Sequence, residues 1–216
     1  MSKYKYIMWD WNGTILDDLT INFETINKLL SDRGLDTMAS IELYKDLFGF
    51  PVIDFYEKIG FDLKKEKFQD VARDYVREYY GRFFESEIFD GAEEVLRYVL
   101  FSGREQLIVS ATEQESLLKQ VEEFGIDHLF TEILGMGDIY AKSKVQLAER
   151  WMKERGARPS EVLFIGDTTH DCEVAESIGC DCVLISSGHN SKERLLFTGC
   201  PVFDNINQVK SYLEEN

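Results

Sequence analysis

The chain has 216 residues, 44% hydrophobic and 13% aromatic, enough to bury the core of one good-sized domain carrying an insert. A formal net charge of −16 excludes holding nucleic acid by phosphate neutralisation, and three prolines with no Ser/Gly/Pro-rich tract give no sign of a disordered linker. The first apolar run stops at Asp10, too short for a signal-peptide core or a bilayer span, so a cytoplasmic protein without membrane association is expected.

Tyr4 to Trp9 reads as a buried strand, short, aromatic and β-branched. A helical region is expected next, without a second strand. Ile21, Ile26, Leu29 and Leu30 form one apolar face, and Arg33-Gly34 is its stop signal. Leu43, Leu47 and Phe48 indicate a second helix, Pro51 to Ile59 a third, and Lys64 to Phe84 a fourth. The fourth repeats Phe68, Val71, Tyr75, Tyr79 and Phe83 at helical spacing, a pattern that points to helix core more than to substrate contact; Tyr80 and Phe84 belong to the same reading.

After residue 85 the pattern changes. Predicted helices 91–101, 113–124, 144–155, 171–178 and 191–197 alternate with strands at 106–110, near 133–134, 162–165, 182–185 and 202–203, and a closing helix covers 205–213. Strands alternating with helices mean a parallel sheet covered on both faces. The predicted fold is therefore α/β, a doubly wound, Rossmann-like parallel sheet with a helical cap inserted after its first strand. Residues 1–16 and 86–216 would be the core and 17–85 the cap. Cys172, Cys180, Cys182 and Cys200 read as reduced thiols, because Cys180-x-Cys182 lacks the two-residue spacer usual in zinc sites.

Ligands of such sheets bind beyond the carboxyl ends of the strands. Asp10, Ser110 and Gly166-Asp167 all stand at predicted strand ends. Asn12-Gly13 between hydrophobic residues is also a hairpin signal, but Thr14 onward passes into helical spacing rather than alternating. A carboxylate at a strand end is fixed for attack on phosphorus; Gly13 permits a tight turn and Thr14 can brace the loop. Ser110-Ala111-Thr112 offers a hydroxyl and backbone N–H groups for phosphoryl oxygens. Asp167 and Asp171, four apart where a strand turns into a helix, suit Mg²⁺, although Asp171 also fits a helix cap.

Together these segments resemble the haloacid dehalogenase superfamily, in its helical-cap, phosphoglycolate phosphatase-like branch. Asp-x-Asp-Gly-Thr, Ser/Thr, Lys and Gly-Asp-x-x-x-Asp occur there in this order, and here the series spans residues 10 to 171. The resemblance implies that Asp10 attacks phosphorus to form an aspartyl-phosphate. It places Mg²⁺ among the Asp10 carboxylate, the backbone carbonyl of Asn12, and Asp167. Ser110, Ala111 and a lysine would hold the phosphoryl oxygens, with Thr14 and Asp171 behind them, Asp171 orienting the lysine or a metal-bound water. Lys144, in the first turn of its helix, is preferred to Lys142 as that lysine.

The match breaks at position 12. The superfamily's phosphatases usually carry an aspartate there, which protonates the leaving group and then activates water; here it is Asn12. A backbone ligand survives the exchange, whereas a proton shuttle worth about 10²–10⁴-fold is lost. Three consequences are open: a slower phosphatase or one for good leaving groups, a substitute such as His170, or a phospho-ligand-binding or regulatory protein. Retention of Asp10, Ser110, a lysine and Asp167 favours the hydrolase. Phosphonate cleavage would require a cap lysine, with Lys45 and Lys58 as candidates. The expected substrate is a small phosphorylated metabolite, the assembly a monomer or homodimer.

Overall fold

The computed structural model describes residues 3–137 and 143–216. Tyr6–Trp9 forms β1 and Leu16–Asp17 a two-residue strand, β2. Four helices follow: Leu19–Asp32 (α1), Ile41–Leu47 (α2), Val52–Lys58 (α3) and Phe68–Arg82 (α4). The chain returns through Glu87–Ile88 (β3) and Ala92–Phe101 (α5). Alternation then sets in, with Glu105–Glu113 (β4), Gln114–Glu123 (α6), Glu132–Met136 (β5), Lys144–Arg155 (α7), Val162–Gly166 (β6) and Thr169–Ile178 (α8). Asp181–Ile185 (β7), Lys192–Leu196 (α9), Val202–Phe203 (β8) and Asn207–Glu215 (α10) complete it.

The sheet has six parallel strands in the order β5-β4-β1-β6-β7-β8, the doubly wound α/β arrangement expected. Side chains alternate across β1, and each face meets its own helices. Ile7 and Trp9 pack with Ile108, Leu163 and Ile165 under α5, α6 and α10. Met8 joins Leu107, Val109 and Phe164 under α7 and α8. Burying each such side chain contributes about 1.5–3 kcal/mol, so both faces of the central strand are strongly fixed. With β1 held between β4 and β6, the residue that follows it is fixed as well.

The helices α1 to α4 form a third apolar cluster, built on Leu29, Leu30, Tyr44, Phe55 and Val71. One expectation fails here. A second strand does precede the helices: β2 pairs antiparallel with β3, Leu16 opposite Ile88 and Asp17 opposite Glu87. This ribbon ties together the points where the chain enters and leaves the helical insert. Two residues carry no periodicity, and their partner lies beyond the whole insert, so no local pattern announces them. Among the described residues no helix is long and apolar enough to cross a membrane.

Candidate active site

The strand order reverses at β1, which has β4 on one side and β6 on the other. Their carboxyl ends therefore open into one crevice. Asp10 leaves β1 there, and Asp167 leaves β6. Asp10, Asp167 and Asp171 are all buried, and each offers an oxygen within 4.8 Å of the others. Lys144, the first residue of α7, reaches between two of them. Its Nζ lies 2.6 Å from Asp10 Oδ1 and 2.8 Å from Asp171 Oδ1. Lys142, the other candidate, lies outside the described residues.

Each carboxylate is oriented by its surroundings. Asp171 Oδ2 accepts from Thr168 Oγ1 (2.7 Å), Thr168 N (3.0 Å) and Asp167 N (3.2 Å), which closes the capping box of α8. Its Oδ1 is left for Lys144, so the helix cap and the lysine contact use different oxygens of one residue. Asp167 accepts from Thr14 Oγ1 at 3.0 Å and from the His189 backbone N–H at 2.6 Å. Gly13, with φ +73°, and Gly188 both crowd Asp167, and a Cβ on either would collide with its carboxylate. The Ser110 hydroxyl is buried within β4, which runs on to Glu113 rather than ending at residue 110 as expected; it accepts from Thr112 N at 3.1 Å and faces the same cavity as Ala111.

Three carboxylates share one lysine. Burial tends to raise the Asp171 pKa, but Lys144 and the Thr168 donors outweigh it and hold that group below its ordinary range. For Asp10, burial prevails over Lys144, and Asp171 and Asp167 reinforce it, so its pKa rises well above the usual carboxylate range. Burial likewise lifts Asp167 to about 6 against the pull of His189. Burial works to lower the Lys144 pKa, yet Asp10 and Asp171 keep it above the usual lysine value. The shortage of positive charge thus falls on Asp10 and Asp167, flanking the crevice. A buried, all-oxygen donor set short of positive charge suits a hard divalent cation.

Asn12 sits in a second polar cluster. Its Nδ2 donates to Asp18 Oδ2 (2.7 Å) and to Tyr79 OH (3.1 Å), and its Oδ1 accepts from Thr112 Oγ1 (2.7 Å). Asp18 is fully buried and also accepts from Tyr79 OH (2.7 Å), Asn22 Nδ2 (2.7 Å) and Gly13 N (3.2 Å). His189 Nε2 meets Asp18 Oδ1 at 3.0 Å, and its Nδ1 meets Tyr44 OH at 3.0 Å. Burial favours neutral His189, but Asp18 overcomes this and raises its pKa. Asp18 itself lies below its ordinary range: burial is outweighed by His189, Tyr79 and Asn12.

Sequence reasoning passed over Asp18, His189 and Tyr44. His189 follows β7, so the strand-end rule that picked Asp10 and Asp167 reaches it too. Asp18 carries no such mark, being the second acid of a pair at a helix start. Tyr79 and Tyr80, read mainly as helix core, line the cavity. Phe83 packs on the sheet core as that reading expects, whereas Phe84 is exposed and is not part of a core. His170 stays outside the cavity lining: its ring stacks on Phe50 at 4.6 Å and its Nδ1 meets Glu173 at 3.0 Å. Lys45 donates to the Ser186 carbonyl at 2.8 Å, and neither it nor Lys58 lines the cavity.

The family model described as haloacid dehalogenase-like hydrolase matches residues 7–185. The chain belongs to the haloacid dehalogenase-like hydrolases. Among its relatives is a phosphoglycolate phosphatase of Haemophilus influenzae, 26% identical over 224 residues, covering 98% of this chain and 99% of the relative. A phosphoglycolate phosphatase of Pseudomonas fluorescens is 24% identical over 195 residues, or 86% of this chain and 71% of that one. A solved haloacid dehalogenase-like hydrolase from Streptococcus pneumoniae superposes with a TM-score of 0.83 at 19% identity, covering 98% of this chain and 99% of the other. Within this family of hydrolases, the present chain carries at position 12 an amide whose hydrogen-bonding groups are all engaged by Asp18, Tyr79 and Thr112.

Proposed function

We propose that this chain is a Mg²⁺-dependent phosphoric monoester hydrolase that acts on a small phosphorylated metabolite through an aspartyl-phosphate at Asp10. The observation that carries the reading is the position of Asp10 at the crevice, with Lys144 Nζ 2.6 Å away and Asp167 and Asp171 beside it. Asp10, Asp167 and the backbone carbonyl of Asn12 would hold Mg²⁺. When bound, the ion would supply positive charge to both the nucleophile and the phosphoryl oxygens.

Asp10 Oδ is the attacking atom, and β1 holds its backbone against β6 through the Asp10 N–H, which donates to the Ile165 carbonyl at 2.8 Å. Lys144 bridges Asp10 and Asp171, so it can follow the charge as Asp10 gives its electron pair to phosphorus. Ser110 and Ala111 line the cavity from β4, the strand beside β1, and serve the phosphoryl oxygens. Thr14 and Asp171 position Asp167 and Lys144 respectively. The helices of residues 17–85 act as the cap that shields the reaction from water. Asn12 transfers no proton; it links the loop after β1 to Tyr79 of α4.

The test is release of inorganic phosphate from a panel of small phosphate monoesters with and without Mg²⁺. Release is expected to require Mg²⁺ and to disappear in Asp10→Asn. Undiminished turnover by Asp10→Asn would sink the proposal.

A further inference from the structure

Above the carboxylates lies a cavity of about 390 Å³, within the range of small-molecule sites. Its far wall comes from the helical insert and is aromatic, with Tyr44, Phe48, Phe55, Tyr56, Tyr75 and Tyr80 among its members. Tyr44 stacks on Phe48 at 5.3 Å, and Tyr75 on Tyr79 at 5.6 Å. The hydroxyls of Tyr44, Tyr75 and Tyr79 are engaged by His189, Asn22 and Asp18. With their hydroxyls engaged, these three tyrosines offer a ligand mainly their rings.

The charges of the cavity point the same way. Among the described residues lining it, Lys144 is the one lysine or arginine, and it is held between Asp10 and Asp171. His189, the other basic group there, has one ring nitrogen on Asp18 and the other on Tyr44. Asp18 and Glu113 add negative charge to the lining. Among the described residues of this wall, a leaving group bearing a carboxylate, such as glycolate, meets no free cation. A neutral ring finds apolar surface and aromatic edges.

Position 12 adds an independent constraint. An alkoxide leaving group needs a proton, because the parent alcohol has a pKa near that of water, about 15.7. A phenol ionises near about 10 and departs as phenolate without help. Asn12 has no proton to give.

From the aromatic, cation-poor wall and the amide at position 12, we infer that the substrate is an aryl phosphate, a phosphate monoester of a neutral phenol. The inference rests on the hydrolytic reading above and names its substrate class. An Asp10 carboxylate oxygen bonds to phosphorus while the bond from phosphorus to the ring oxygen breaks. The electron pair leaves with the phenolate, which takes a proton from solvent. Water then attacks phosphorus, the Asp10–phosphate bond breaks to restore the carboxylate, and one proton passes to solvent.

The experiment compares kcat/KM for phenyl and 2-naphthyl phosphate with that for 2-phosphoglycolate and glycerol phosphate, using the full chain with Mg²⁺. Calorimetric binding of phenylphosphonate and phosphonoacetate runs beside it. The aryl esters are expected to lead by about 10²-fold or more, the scale of a missing general acid. Phenylphosphonate should bind at least about tenfold tighter than phosphonoacetate. Phosphoglycolate turnover equal to or above that of the aryl esters overturns the inference and leaves the hydrolase reading standing. Tighter phenylphosphonate binding with no phosphate released from any ester overturns the hydrolase reading and, with it, the aryl ester as substrate, leaving a ring-selective binding cavity. Phosphonoacetate binding as tightly as phenylphosphonate overturns the aromatic-cavity argument whatever the turnover.

Discussion

Asn12 Nδ2 lies 2.7 Å from Asp18 Oδ2, so the amide at position 12 is bonded to an aspartate six positions on. An acid at both positions would set two carboxylates against each other in a buried site. Asn12→Asp alone is therefore expected to lose a charge-assisted hydrogen bond and gain a like-charge contact, lowering stability by about 1.5–3 kcal/mol. It should not restore fast turnover. The exchanged pair Asn12→Asp/Asp18→Asn keeps one acid and one amide in contact and should recover part of the loss. Urea midpoints and phosphate release of the two variants decide the matter. A stable, faster Asn12→Asp single variant would contradict it.

On the proposed aspartyl-phosphate route, an amide at position 12 would also leave the second half-reaction without a base to activate water. With a leaving group that departs unaided, breakdown of the aspartyl-phosphate is then expected to be the slow step. Stopped-flow mixing with 4-nitrophenyl phosphate is expected to give a burst of phenolate, about one per active site, before a slower steady rate. Substituted phenyl phosphates should then share one kcat while differing in kcat/KM. A linear time course from the first turnover would show that attack by Asp10 is slow instead.

Much of this site was legible because a parallel sheet sends its ligands to strand ends. Asp10 and Asp167 each follow a strand whose apolar run is readable on its own, Ser110 follows the apolar run of β4 although the strand continues to Glu113, and Lys144 starts a helix with clear periodicity. The β2–β3 ribbon was not legible, since the pairing of Leu16 with Ile88 spans the entire insert. Asp18 was missed for a related reason. Its partners Tyr79 and His189 come from α4 and the loop after β7, and only the folded chain brings them to one carboxylate. Tyr75 and Tyr79 read as helix core in the sequence because their spacing is the same whether they face a neighbour or a ligand.

Away from the site, Glu161 anchors the start of β6 to β1. Its Oε1 lies 2.7 Å from Arg158 Nη2 and 2.5 Å from Lys5 Nζ. Arg158, and then Lys5, push its pKa down to about 2. A carboxyl depressed on folding adds stability that is complete above its unfolded pKa, about 4.3, and lost as pH falls through its folded value. Glu161→Gln should unfold at lower urea than the parent at pH 7. The gap between them is expected to shrink below about pH 4 and to close near about pH 2. A gap independent of pH would show that the side chain acts through packing rather than charge.

Asp10 and Asp167 lack a full complement of positive charge, so a bound cation should stabilise the folded chain. Saturation at about 100 times the dissociation constant adds about 2.7 kcal/mol. Melting scans are expected to show Tm rising with Mg²⁺ concentration and falling back with a chelator. Asp167→Asn removes one charged ligand and should abolish most of that rise. Glu113→Gln, on the cavity wall but outside the carboxylate cluster, should leave it intact. Ca²⁺, larger and less exacting in geometry, should raise Tm as well without supporting phosphate release. A Tm rise with Mg²⁺ that survives in Asp167→Asn would place the ion somewhere other than between Asp10 and Asp167.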